Sequence, residues 1–174
     1  MLELVPLSHE LLVALFERRA SDAERMLDAR LPSDDLFGDQ PWVRLRIQQA
    51  SADPSWIPWL LRGVIRCHDR RLVGHVGFHG PPGSHPLESE WPGVVELGYT
   101  IEREQRGHGY ATQATAQLLA WAHTQGVRRV VLSISPDNLA SLRVATKLGF
   151  RLERSYTHEQ RGIEKLLMKT LEIH

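Results

Sequence analysis

The sequence predicts a mixed α/β fold with antiparallel hairpins early and a strand–helix–strand unit late. Three observations point to it. Two apolar, β-branched runs, 60–68 and 72–79, are split only by Asp69-Arg70-Arg71, which is the pattern of a hairpin. A strand, a glycine turn, a helix of about fifteen residues and another strand follow one another over 94–134, the layout of a strand–helix–strand unit. The composition, 42% hydrophobic and 24% charged, is that of an ordinary globular chain and excludes a disordered or fibrous one. With 174 residues the expectation is one domain spanning 1–174.

Each element has its own local reason. Residues 2–6 alternate and read as a first strand. Ser8 is placed to cap a helix over about 9–20, with Leu11, Leu12, Leu15 and Phe16 on one face. Residues 31–40 are loop-like, and Asp39 is the expected cap of a helix entered through Pro41 and carrying Val43, Leu45 and Ile47. After the hairpin, 80–93 (GPPGSHPLESEWPG) is too rich in Pro and Gly for regular structure. A strand over 94–101 leads to a helix over 109–124, with Gly126 where a C-cap glycine belongs. An apolar strand (130–134), a helix (139–148) stopped by Gly149, and strands at 150–154 and 165–171 complete about seven strands and four helices.

The 21 basic and 21 acidic residues cancel, which argues against nucleic-acid binding by bulk charge. No apolar stretch of about 18 residues or leader-like N-terminus is present, so the expectation is a cytoplasmic protein with no membrane partner. The lone Cys67 excludes an internal disulfide. The neutral total hides an asymmetry: residues 1–102 hold 10 basic against 15 acidic side chains, and residues 103–174 hold 11 against 6.

The most informative segment runs from Glu96 to Thr112. Gly107 and Gly109 sit two apart between a strand and a helix, where a turn with positive φ leaves first-turn amides free to meet an anion. Arg106 adds a donor fork beside them. The spelling is neither GxxxxGK[ST] nor GxGxxG, since residue 112 is Thr.

Arg106-Gly107-His108-Gly109-Tyr110-Ala111 resembles the [Q/R]-x-x-G-x-[G/A] signature of the GCN5-related N-acetyltransferase (GNAT) superfamily, whose members bind acetyl-coenzyme A. Residues 138–150 resemble its second signature, N-x-x-S-x-x-x-x-x-K-x-G-F, through Asn138, Ser141, Lys147, Gly149 and Phe150. Glu96-Leu97-Gly98-Tyr99 is similar to the ribosomal-protein acetyltransferase branch, RimJ/RimL-like. The resemblance implies a GNAT fold, its central sheet splayed between the fourth and fifth strands. It places the coenzyme pyrophosphate on the backbone of 106–111, including His108, and the pantetheine arm along Tyr99, Thr100 and Ile101. Asn138 would touch that arm, Ser141 would lie near the sulfur, and Arg143 and Lys147 nearer the nucleotide.

Acetyl transfer needs a deprotonated amine, and a lysine-like amine with a reference pKa of about 10.4 calls for a base. Glu96, on the central strand with its side chain opposite Leu97 and Tyr99, is the first candidate; a structural glutamate is the alternative. Glu159 is a second acid to consider, set against a solvated loop carboxylate. Backbone N–H groups near Tyr99–Thr100 are the expected oxyanion donors. For the general acid, many family members carry a tyrosine four residues before the glycine of the second signature; here that residue is Ala145. Ser141 is the substitute the RimL-like pattern offers, and Tyr156 a third option.

The nine histidines do not spell a metal motif, and no metal is expected. His79 is either a polar group at the mouth of the acceptor groove or a plain strand-end histidine. Trp121 is expected in the core, and Trp56 and Trp91 are candidates for substrate or dimer contacts. The reading is an acetyl-CoA-dependent N-acyltransferase acting on a small-molecule or peptide amine, with a homodimer left open. The alternative is a catalytically poor acyl-CoA-binding sensor or assembly module.

Overall fold

The computed structural model describes residues 1–38 and 40–172. Seven strands form one sheet: β1 (Leu2–Pro6), β2 (Leu61–Arg66), β3 (Arg71–Phe78), β4 (Val95–Ile101), β5 (Arg129–Ile134), β6 (Arg151–His158) and β7 (Gly162–Thr170). Their order is β1-β2-β3-β4-β5-β7-β6. Every neighbouring pair is antiparallel except β4 and β5. That parallel pair consists of two register positions, Val95 opposite Val130 and Glu96 opposite Val131. Beyond Glu96 the strands diverge, while β4 stays paired with β3 as far as Gly74 opposite Ile101.

Five α-helices flank the sheet: α1 (His9–Phe16), α2 (Ala20–Leu27), α3 (Pro41–Ala52), α4 (Tyr110–Thr124) and α5 (Leu139–Lys147). The expected first helix is therefore two. Ser8 caps α1, accepting from the Leu11 amide at 3.2 Å, but Arg18 then enters the left-handed region at φ 57 and breaks the run. α2 ends the same way, on Asp28 at φ 49. The Asp39 cap expected for α3 lies outside the described residues; Pro41 opens the helix, where its missing N–H has no cost. Gly126 (φ 83) closes α4, the Val127 amide reaching back to Ala122 O at 3.1 Å.

The two faces of the sheet hold different cores. α4 covers one, packing Leu118 and Ala122 against Val76, Phe78 and Leu97. Trp121 belongs here as expected, its ring 4.8 Å from Trp59 and under the Arg62 guanidinium at 4.1 Å. α1, α2 and α3 cover the other, with Leu12, Leu15, Ala23 and Val43 against Ile65 and Leu72. The 80–93 loop adds a third cluster, laying Leu87 and Trp91 on Val94, Val131, Leu166 and Met168. Trp91 is thereby committed to packing, with Arg154 over its ring at 5.1 Å and held by Glu90.

At the end of β4, Glu102 is fully buried and accepts from the Ser33 amide (2.8 Å), the Ser33 hydroxyl (2.6 Å) and Arg71 (2.9 Å). Burial works to raise its pKa, but the Ser33 and Arg71 contacts outweigh it and hold the group below its ordinary 4.5. The stabilisation is thus present above pH 4.5 and fades as pH falls toward the folded-state value. In urea melts between pH 7 and pH 3, Glu102→Gln is expected to be less stable than wild type at neutrality, the gap narrowing as the medium becomes acid. A gap constant across that range would show that the charge contributes nothing.

Candidate active site

The divergence of β4 from β5 turns one strand edge toward an opening. Glu96 O accepts from the His79 amide and the Glu102 amide donates to Val73 O, so residues 96, 98, 100 and 102 turn their backbone to β3. Leu97, Tyr99 and Ile101 consequently direct theirs to the gap. The free donor expected at Tyr99–Thr100 is therefore the Tyr99 N–H, because Thr100 is spent on β3. Ile101 O accepts from Arg106 Nε at 3.1 Å, which ties the Arg106 side chain to the edge of the gap.

A cleft of 440 Å³ continues from this opening to the glycine turn. Its walls are Tyr99, Thr100 and Ile101 from β4, Arg106, Gly107, Gly109, Tyr110 and Ala111 from the turn and α4, and Asn138, Ser141, Arg143 and Lys147 from α5. All twelve were expected together from the sequence. Gln105, Thr112, Ala140 and Val144 line it too; the last two share the α5 face of Ser141 and Lys147 at helical spacing, a signal open to sequence reasoning. His108 does not line the cleft. Its ring stacks on Tyr110, centroids 5.5 Å apart, with Nδ1 3.2 Å from Gln105 O.

Three features of the cleft suit a polyanionic, amide-bearing ligand. Gly107 (φ 81) and Gly109 (φ 79) hold the turn in the left-handed region, and Gly109 occupies the N-cap of α4, where no side chain caps the first-turn amides. The Tyr99 hydroxyl is buried in the wall and, among the described residues, makes no hydrogen bond of good geometry. Burial raises its pKa and the neighbouring Ser141 hydroxyl offsets part of the rise. Asn138 uses its side-chain oxygen to cap α5, accepting from the Ser141 amide at 3.1 Å, which leaves its NH₂ group for a ligand.

On the opposite face of β4 the structure gathers a second group of residues. Glu96 Oε2 lies 3.1 Å from His79 Nδ1 and 3.1 Å from His85 Nε2. Burial would raise the Glu96 pKa, but the hydrogen bonds from His79, His85 and Ser133 prevail and hold it far below the usual carboxylate range. The network runs on: Tyr156 Oη is 3.0 Å from Ser133 Oγ and 2.9 Å from the buried Glu164, which pairs with Arg161 at 3.2 Å. Burial first, and then Glu164, raises the Tyr156 pKa against a lowering contact with Ser133. His85, Ser133 and Glu164 carried no sequence signal, because the loop and strand folding that brings them to Glu96 is long-range.

The other expected catalytic residues fall elsewhere. Ser141 lines the cleft at the glycine turn rather than the Glu96 network. Glu159 lies in the exposed turn between β6 and β7, where no hydrogen bond or ion pair ties it to either group among the described residues, so the structure does not bring it into the site. Ala145 is fully buried in the α4-side core and offers no proton donor.

Comparison with known proteins agrees with this layout. The family model described as an acetyltransferase (GNAT) domain matches residues 1–151. The chain belongs to the GNAT acetyltransferase family, in its RimJ/RimL-like branch. Among curated GNAT relatives, the uncharacterized N-acetyltransferase YjdG of Bacillus subtilis is 27% identical over 122 residues, 70% of this chain and 67% of that one. YnaD, of the same organism, is 28% identical over 91 residues, about half of each chain. The ribosomal-protein-S5-alanine acetyltransferase of Vibrio fischeri superposes with a TM-score of 0.63 at 16% identity, covering 97% of this chain and 91% of its own. The microcin C7 self-immunity acetyltransferase MccE, solved with acetyl-CoA and AMP, gives 0.65 at 18% identity over 98% and 92%. At those identities the likeness is one of fold, and it covers the GNAT sheet from end to end. Among the described residues no helix is long and apolar enough to cross a membrane.

Proposed function

We propose that this GNAT enzyme transfers the acetyl group of acetyl-CoA directly to an amine, bound at the same time on the Glu96 side of β4. The observation that supports this best is the arrangement around one strand. β4 presents an open backbone edge and uncapped α4 amides to a cleft, and presents a buried, imidazole-bonded carboxylate on its other face. When bound, acetyl-CoA supplies a thioester whose carbonyl carbon the amine attacks, the C–N bond forming as the C–S pair leaves with the sulfur. Residues 106–111 hold the pyrophosphate by backbone amides, and Tyr99 and Ile101 pair with the pantetheine amides. The Tyr99 N–H faces the developing oxyanion. Ser141 and Tyr99 offer hydroxyl donors to the departing sulfur, a modest task because thiols have pKa values near 8.5. Arg143 and Lys147 attract the nucleotide phosphates, in keeping with the basic balance of 103–174.

The acceptor side belongs to the acidic part of the chain, with 15 carboxylates against 10 basic groups over 1–102. The reading is therefore a cationic acceptor, a protein N-terminus or a small polyamine-like or aminoglycoside-like amine, reached in the cytoplasm. Thiol release measured with a panel of cationic, neutral and acidic amines tests it. Cationic acceptors are expected to show the highest kcat/KM, with the preference shrinking as salt is added. Faster turnover of neutral or acidic amines would refute the charge assignment, and coenzyme binding without turnover of any amine would support the sensor reading.

A further inference from the structure

We propose that His79, oriented by Glu96, is the group that takes the proton from the acceptor amine, with Glu96 and His85 as positioning residues rather than the base. The proposal rests on the acetyltransferase reading above and assigns its proton path.

A hydrogen-bond direction fixes the tautomer of His85, and a short carboxylate contact favours one for His79. The Leu87 amide donates to His85 Nδ1 at 3.1 Å, so His85 carries its proton on Nε2 and donates it to Glu96. His79 brings Nδ1 to 3.1 Å from the same carboxylate oxygen, and the proposal puts the ring proton of neutral His79 on that nitrogen, since a carboxylate only accepts. The lone pair of neutral His79 is then on Nε2. That atom lies over Gly98: a Cβ built there would be 3.2 Å from it. Gly98 is the residue between Glu96 and Thr100 on the same face of β4, next to Tyr99 at the mouth of the gap. The His79 side chain is 41% exposed while Glu96 is 14% exposed, so the imidazole and not the carboxylate meets solvent and substrate.

The rest of the neighbourhood fixes the backbone that carries the ring. Arg46 and Gln49 from α3 donate to His79 O at 3.1 and 3.3 Å, and the His79 amide donates to Glu96 O at 2.8 Å. The ionisable groups facing the pair are Arg46 from α3, His85 from the 80–93 loop, and Tyr156 from β6 beyond Ser133. A carboxylate held as low as Glu96 by two imidazoles is a poor proton acceptor and a good orienter of a ring.

The proton balance closes on His79. An ammonium acceptor gives one N–H proton to the Nε2 lone pair, and the exposed ring passes it to water. The neutral amine uses its lone pair for the new C–N bond while the C–S pair leaves with the sulfur. The extra proton on the new amide nitrogen goes to Nε2 by the same route, and one of the two released protons neutralises the thiolate.

The test uses the full chain. Nitrogen-15 NMR of the imidazoles is expected to show neutral His79 protonated on Nδ1 and His85 on Nε2. His79→Ala is expected to lower kcat by about a hundredfold or more, with coenzyme affinity within twofold of wild type and partial rescue by added imidazole. Glu96→Gln keeps the ring and is expected to lose less, with a changed pH profile of kcat/KM. His79→Ala turning over within threefold of wild type, or a neutral His79 protonated on Nε2, overturns the proposal. Total loss in Glu96→Gln beside a mild His79→Ala returns the base to Glu96. Failure of the acetyltransferase reading is told apart by wild type itself releasing no thiol with any amine.

Discussion

Gly109→Val is expected to weaken coenzyme binding by about a hundredfold or more while the chain still folds. Gly109 sits at φ 79 as the N-cap of α4, and an added Cβ would meet nothing nearer than Gln113 Nε2 at 3.8 Å. The protein itself has room for the side chain; what loses room is a ligand lying on the first-turn amides. A β-branched residue at that φ also carries strain of about 1–3 kcal/mol, which lowers the melting temperature. Gly126→Val separates the two effects, because Gly126 has φ 83 at the far end of the same helix and nothing within 4 Å of its Cβ position. Calorimetric titration with coenzyme A is expected to give near wild-type affinity for Gly126→Val and little or none for Gly109→Val. Equal affinities would remove the glycine turn from the coenzyme site.

Gly77→Ala is expected to destabilise the domain by about 3 kcal/mol or more, because overpacking against rigid backbone reaches or exceeds the upper end of its usual range. Its Cβ would lie 2.0 Å from Leu60 O and 2.8 Å from Leu60 C, so strand β3 and the chain entering β2 would have to separate. For a chain of this size that is about 6–12 °C in melting temperature. Gly98→Ala, at the position paired with Gly77, meets only the His79 ring at 3.2 Å and is expected to keep most of its stability. A thermal melt of Gly77→Ala within a few degrees of wild type would show that the strands part more easily than their register implies.

The parts of this fold legible in the sequence are those with local causes. Ser8, Gly126 and Gly149 punctuate helices by their own chemistry, and each does so in the structure. The break between α1 and α2 and the end of α2 were hidden because Arg18 and Asp28, not glycines, adopt the left-handed conformation there. β6 extends to His158, past the expected 154, although its exposed edge residues lack an apolar alternation. β7 likewise begins at Gly162. The cleft was legible because its lining comes from two short motifs whose spacing survives folding. The Glu96 network was legible at Glu96, and at His79 and Tyr156 only as separate candidates with nothing to join them. Its partners lie on a Pro-rich loop, on β5 and on the last hairpin, at separations with no periodic signature, and the alternation that put Glu96 and Gly98 on one face could not say that His79 would cover them.

The two register positions that join β4 to β5 make the sheet two half-sheets meeting at a narrow seam. On one side stand β1 to β4; on the other stand β5 to β7. A ligand that paired with the open β4 edge would stand in for the missing strand contact and is expected to stiffen the sheet across this seam. In a cell, the rigidity of this protein would then track its supply of coenzyme.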